Sequence, residues 1–267
     1  MPIETLLKSD RAIVTASLAV LTALAWAYLV WMARAMTHAA MPDMPDMDMV
    51  AAIAPMLRAW TAGDFIFIFV MWAVMMAGMM TPSAAPMILI YARVARQSAV
   101  AGKPLAATGW FAGGYLLSWT GFSLVAAIAQ GMLQRAAWLT PMMEAASHRV
   151  GGIVLIAAGI YQWTPLKDSC LQQCRAPLAF IQYHGGFKRD AAGSLGLGLR
   201  HGVYCIGCCW ALMALLFAGG VMNIAWIAAI AIFVLIEKVF PAGRVIARIA
   251  GIGLTATGLW MVARSFL

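Results

Sequence analysis

Residues 63–92 read GDFIFIFVMWAVMMAGMMTPSAAPMILIYA, thirty positions in which the only charge is Asp64. A run of 18 or more apolar residues is long enough to cross a hydrocarbon core of about 30 Å as a helix, and this one exceeds that length. Pro82 and Pro86 sit inside it. Proline removes a ladder hydrogen bond and clashes with the preceding turn, so a kink or a break into two pieces is expected there.

The same texture extends in both directions. Apolar runs near 12–32, 63–92, 105–133, 150–166, 195–220, 224–240 and 245–263 predict about seven helices. Of the 267 residues 64% are apolar and 10% charged, with a mean hydropathy of +0.86, whereas soluble domains carry roughly 25% charged residues. The expectation is an all-α, polytopic transmembrane bundle forming a single domain over 1–267. A Met-rich outward loop falls at 36–60 and a cytoplasmic loop at 167–194.

The formal charge of +8 is explained by orientation. With the N-terminus inside, 13 of the 18 Lys and Arg fall on the cytoplasmic side and only Arg34, Arg58, Arg135, Arg149 and Arg264 fall outside, as the positive-inside rule requires of a protein with its C-terminus out. No nucleic-acid partner is needed; the expected partners are the lipid bilayer, a metal ion, and a metallochaperone or membrane complex. Lys8 and Arg11 precede the first apolar run without a cleavage site and read as the cytoplasmic flank of a retained helix in a bacterial inner membrane. Gly109 with Gly113, and Gly198 with Gly202, are small-xxx-small pairs suited to helix packing. WAVMM at 72–76 and WALMA at 210–214 echo each other as an inverted repeat would.

Twelve of the 20 methionines lie between Met36 and Met87. The first group is MTHAAMPDMPDMDM, residues 36–49, where Met41, Met44 and Met47 recur every third residue beside Pro42 and Pro45, with His38 and three aspartates interleaved. Polyproline II would put these thioethers on one side. Thioethers are soft and need no deprotonation, which selects Cu(I) over harder ions; the alternative is a polar loop with incidental methionines. In the membrane run, Met71, Met75 and Met79 share a face at i, i+4, i+8, and Met76 and Met80 form a neighbouring pair. They read as a ladder of sulfurs or, equally, as core gap-fillers.

YCIGCCWALM, residues 204–213, places Cys205, Cys208 and Cys209 at i, i+3, i+4, with Met213 further along the same helix. Three thiols on one face suit a trigonal soft-metal site. Cys170 and Cys174, at i, i+4 in TPLKDSCLQQC, lie on the same expected cytoplasmic side and can chelate or oxidise. Five cysteines leave any disulfide set incomplete. Glu237 and Lys238 end the sixth run as a mutual pair or a relay. Glu144 and His148 read as a surface pair, and His184 and His201 lack the context of haem ligands, so haem is not expected. There is no phosphate-binding loop or aspartyl-phosphate motif, which excludes an ATP-driven exporter acting alone.

MWAVMMAGMMTPSAAPM, YQWTPLKDSCLQQCRAP, and GCCWALMALLFAGGVMNIAW running on to Glu237 and Lys238 together resemble a bacterial family of predicted metal-binding integral membrane proteins, a domain of unknown function. The resemblance covers roughly Gly63 to Gly243 and implies a multi-helix membrane protein and a metal, with no defined activity. Met41 to Met49, and Met76-x-x-x-Met80, also look like segments of eukaryotic copper permeases, whose remaining fold is missing here.

These features lead to a membrane protein that captures Cu(I) through outward methionines and passes it along the second helix to thiols near the cytoplasm. The same ligands would serve a holder or insertase. A thiol redox protein and an accessory subunit of a membrane complex are the alternatives. In intact cells, a cysteine introduced by Asp46→Cys is expected to react with a membrane-impermeant maleimide and one introduced by Arg96→Cys is not; the reverse pattern would invert the topology. Replacing Met41, Met44 and Met47 together with Leu is expected to weaken copper uptake at low copper and little at high copper; equal loss at both would make the loop structural.

Overall fold

The computed structural model describes residues 3–39, 60–102, 104–140, 143 and 145–266, with the side chains of 3–11 and 36–39 outside the description. The Met-rich segment at Met41, Met44 and Met47 lies outside the described residues, as does the side chain of His38. The described chain is helical, with the bridge between Leu139 and Ala145 as its sole β pairing.

The helices are α1 (Ile3–Ala39), α2 (Ala62–Val100), α3 (Thr108–Arg135), α4 (His148–Tyr161), α5 (Pro165–Arg175), α6 (Pro177–Tyr183), α7 (Ala191–Ala214), α8 (Leu216–Gly219), α9 (Ile224–Val239) and α10 (Gly243–Arg264). Each of the seven apolar runs therefore folds as helix. Among the described residues, five spans are long and apolar enough to cross a membrane: 12–35 in α1, α2, α3, the continuous stretch 191–219 through α7 and α8, and α10. At 14 and 16 residues, α4 and α9 reach only about 21 and 24 Å at 1.5 Å per residue.

Short polar residues start the helices. Thr61 and Asp64 form a reciprocal capping box on α2, with Thr61 N donating to Asp64 Oδ2 at 2.8 Å and Asp64 N to Thr61 Oγ1 at 3.2 Å. Side chains of Ser147, Thr164, Asp190 and Asn223 accept first-turn amides of α4, α5, α7 and α9. Gly220, at φ +93°, ends the α7–α8 stretch in a conformation that L side chains rarely adopt. The Trp226 indole donates to the Leu215 carbonyl at 2.8 Å where α7 gives way to α8.

Of the kink or break expected in the second helix, the break into two pieces does not occur. α2 runs unbroken through Pro82 and Pro86 for 39 residues, about 58 Å. Around the prolines, Thr81 Oγ1 donates to the Ala77 carbonyl at 2.6 Å, and both Ser83 Oγ at 2.9 Å and the Tyr115 hydroxyl at 3.0 Å donate to that of Met80. Side-chain hydroxyls of this kind supply polar partners to backbone near a proline in an apolar interior.

Glycine sets the closest helix crossings. A Cβ at Gly114 would strike the Leu195 carbonyl, one at Gly198 the Phe111 carbonyl, and one at Gly202 the Ser118 side chain, so α3 and α7 touch backbone to backbone. Ser118 Oγ bridges the crossing to the Leu199 carbonyl at 2.8 Å. Gly109 and Gly113 face open space instead; the packing glycine of α3 is Gly114, displaced by one position from the sequence pattern. A second close pair joins α4 to α10 through Gly152, Gly159, Gly251 and Gly258. Of the two echoing tryptophans, Trp72 is fully buried and Trp210 exposed, so their environments are not equivalent.

Residues 167–194 carry most of α5, all of α6 and the start of α7. α5 packs against α7, and Lys167, Cys170, Leu171, Phe180 and Ile181 are all buried. Lys167 and Lys238, counted among the cytoplasmic-side cations, are buried against neighbouring helices. The outer surface is apolar, with Val20, Leu24 and Trp31 on α1, Leu117 and Val125 on α3, and Ile249, Ile252 and Leu259 on α10 all exposed, a pattern suited to lipid.

Gly198→Ala is expected to lower stability by about 1–3 kcal/mol through overpacking against backbone. Gly113→Ala is expected to stay within about 0.5 kcal/mol of wild type. Thermal unfolding of the detergent-solubilised protein checks both.

Candidate metal centre

Cys205 is the point on which α2, α3, α5, α7 and α9 converge. The helical spacing places Cys205, Cys208 and Cys209 on the inner face of α7, and all three are 1% exposed. The Cys208 and Cys209 thiols donate to the Cys205 carbonyl at 3.0 and 2.9 Å, which is what protonated thiols do in an apolar interior with no stronger acceptor. From α3, the Tyr115 hydroxyl touches Cys205 Sγ at 3.2 Å while donating to the Met80 carbonyl of α2. From α9, Lys238 Nζ lies 2.8 Å from Cys205 Sγ and 3.2 Å from Ser83 Oγ of α2.

α5 adds a fourth thiol. Cys174 Sγ is 3.9 Å from Cys208 Sγ. Cys170 Sγ fills the space left by Gly207, where a Cβ would stand 2.7 Å from the sulfur. Outside the membrane-length helices, burial and then the nearby Cys208 push the Cys170 thiol up from its ordinary pKa. Hydrogen bonding to Cys205 and Cys208, then burial, pushes that of Cys174 well up. All five cysteines are free thiols.

Beside this cluster lies an ion pair that the sequence reading had assembled differently. Glu237 pairs with Lys167 of α5 at 2.5 Å, at 2% and 1% exposure respectively, rather than with its neighbour Lys238. Lys167 also donates to Gln162 Oε1. Successive residues of α9 thus serve two partners, Glu237 anchoring α5 and Lys238 reaching the thiols.

Met71, Met75, Met76, Met79 and Met80 are all buried at 0–2% exposure. Their helix reaches the cluster at its Met80 end, through Tyr115 and Ser83. Met213, two turns beyond Cys205 on α7, is buried at 1%. Of the other candidates, Glu144 lies outside the described residues and His148 is exposed. Sequence reasoning missed Tyr115, Ser83 and the role of Lys238, each contributed by a helix distant in sequence from α7.

Among the described residues, no group of three or more His, Cys, Asp and Glu side chains is arranged to hold a metal ion. Two of the α7 thiols turn back to their own helix. Ligation by Cys208 or Cys209 would require the thiol to leave the Cys205 carbonyl. Among the described residues, the fold and this interior define a helical bundle with five membrane-length spans and a sulfur-rich core beside a buried ammonium.

Residues 69–261 match the model of a family described as PpoB2, copper chaperone. The match takes in well over half of the chain, including every helix that contributes to the thiol cluster, and the chain belongs to that family. No curated protein and no solved structure matches it.

Glu237→Gln is expected to cost about 3–5 kcal/mol, because it leaves the Lys167 ammonium buried without its counter-charge. Joint replacement, Lys167→Met with Glu237→Leu, is expected to recover most of that loss. Chemical unfolding of the solubilised variants measures both.

Proposed function

We propose that this chain is an integral membrane copper chaperone that holds Cu(I) as cargo on the thiols of α5 and α7. The observation that carries this reading is the convergence of Cys174, Cys205, Cys208 and Cys209 around a buried lysine within a copper-chaperone family match. Cys205 with Cys208 or Cys174 forms the principal ligand pair, with Cys209 the third thiol within reach. Cys170 stands behind Cys174 as a reserve thiol.

The charge balance favours a monovalent ion. Two thiolates and Cu(I) carry a net charge of −1, which the Lys238 ammonium offsets inside a low-dielectric interior where an uncompensated charge costs several kcal/mol. Soft thiolates also select Cu(I) over hard cations. Loading releases the protons of the ligating thiols, so Lys238 is placed to stabilise the resulting sulfur anion at Cys205.

The proposed topology has seven crossings, with α4 and α9 as the two short ones, the N-terminus inside and the C-terminus outside in a bacterial inner membrane. The methionine loop at 36–49 gathers the ion, and Met71, Met75, Met76, Met79 and Met80 guide it inward. Met213 lines the far side of the cluster. Delivery to a metallochaperone or a membrane enzyme would complete the cycle without ATP. A thiol redox reading is favoured by one observation, the 3.9 Å between Cys174 and Cys208 sulfurs. It predicts a disulfide between them under mild oxidation and no copper requirement.

Purified protein incubated with copper and ascorbate, then desalted, is expected to retain about one Cu(I) per chain by elemental analysis, a soft-ligand affinity expected of thiolates. Lys238→Met is expected to weaken Cu(I) retention in competition with a chromophoric chelator. Joint Cys174→Ser, Cys205→Ser and Cys208→Ser substitution is expected to abolish it. Full retention by the triple variant would move the site to the methionines or remove it.

A further inference from the structure

His201 precedes Cys205 by one helical turn on α7, and the two residues share a face. Its imidazole is only 3% exposed, and its Nδ1 is buried with no hydrogen-bond partner among the described residues. An unpaired buried polar atom costs about 1–3 kcal/mol and calls for an explanation. The ring lies against Tyr115, at 5.7 Å between centroids, and against Phe180 of α6, at 5.2 Å. Tyr115 is the residue whose hydroxyl touches Cys205 Sγ.

On the outward side of the same aromatic cluster stands a second imidazole. His184, half-buried at the C-terminal end of α6, packs against Phe180 at 4.4 Å and Tyr204 at 5.8 Å. Its Nδ1 lies 2.8 Å from the Phe180 carbonyl. Donation to that carbonyl fixes the tautomer and leaves the Nε2 lone pair free, the arrangement in which imidazoles bind metals. The structure thus grades from buried thiols, through a buried imidazole, to a half-buried imidazole, with Phe180 common to the two rings.

We infer that His201 and His184 are exit ligands, through which Cu(I) leaves the thiol cluster toward the corner between α6 and α7. The inference rests on the copper-holding function proposed above. Imidazole is a copper ligand that carries no charge, so it accepts the ion without the electrostatic hold of a thiolate. The step breaks the Cu–S bond at Cys205 and forms a Cu–N bond at His201 Nδ1. Copper remains Cu(I) throughout, and no electron is transferred. The Cys205 thiolate left behind faces Lys238 and regains a proton from water. A second exchange breaks the bonds at His201 and at the second ligating thiol, which regains a proton from water, and forms one at His184 Nε2, from which an external acceptor takes the ion.

The test is the rate at which Cu(I)-loaded, detergent-solubilised protein loses copper to excess bathocuproine disulfonate, followed by stopped-flow absorbance. His201→Phe preserves the aromatic packing and removes the nitrogens. His184→Phe does the same at a half-buried position that burdens folding less. Each variant is expected to keep wild-type copper stoichiometry and release it about tenfold more slowly, equivalent to about 1.4 kcal/mol of barrier. His148→Phe, at an exposed position on α4, is expected to release at the wild-type rate. Wild-type release from both His201→Phe and His184→Phe, with loading intact, would overturn the exit role and leave the thiol site standing. Loss of bound copper from His184→Phe, monodisperse by size exclusion, would also overturn it by making that imidazole a resident ligand. Failure of wild type to load any copper would instead remove the holding function, and the exit route with it.

Discussion

The interior depends on finding partners for two ammonium groups that it buries. Lys167 and Lys238 are 1% and 8% exposed in a chain whose outer surface is itself apolar, and neither can be left unpaired without a penalty of several kcal/mol. Lys167 is held by Glu237 and Gln162. Lys238 is held by Cys205 and Ser83. Because Glu237 and Lys238 are adjacent on α9, satisfying both draws α5, α2 and α7 toward the same level of the bundle. The thiol cluster is the place where those helices meet.

This constraint links folding to chemistry. Lys238 lies against the Cys205 sulfur and the Ser83 hydroxyl, whereas Lys167 has a carboxylate. An ammonium so placed gains most when Cys205 becomes a thiolate, and a soft ion is what makes several adjacent thiolates tolerable. In the structure, Cys208 and Cys209 instead donate to a backbone carbonyl, and Tyr115 shares its hydroxyl between that helix and α2. The cluster has the composition of a soft-metal site and the hydrogen bonding of protonated thiols. Loading would exchange one for the other.

The helical class and the seven apolar runs were legible because hydropathy depends on local composition alone. Whether Pro82 and Pro86 kink the second helix or split it was not, since proline removes a ladder bond in either case. The packing glycine of α3 was missed for a related reason: spacing identifies small residues but not which of them faces a neighbour, and Gly114 rather than Gly113 does so. At the site, the shared face of Cys205, Cys208 and Cys209 followed from helical periodicity. The pairing of Lys167 with Glu237, and of Lys238 with Cys205, spans 70 and 33 positions. A charge count sees sign and position along the chain, not tertiary partners, so it could not show these pairings.

The central claim, that the thiols of α5 and α7 hold Cu(I), is tested most directly by copper K-edge X-ray absorption on protein loaded with one equivalent under ascorbate. The account predicts a Cu(I) edge and a first shell of two or three sulfurs, lost when Cys174, Cys205 and Cys208 are replaced by serine. A first shell of nitrogen and oxygen, or a sulfur shell unchanged by those replacements, would contradict it.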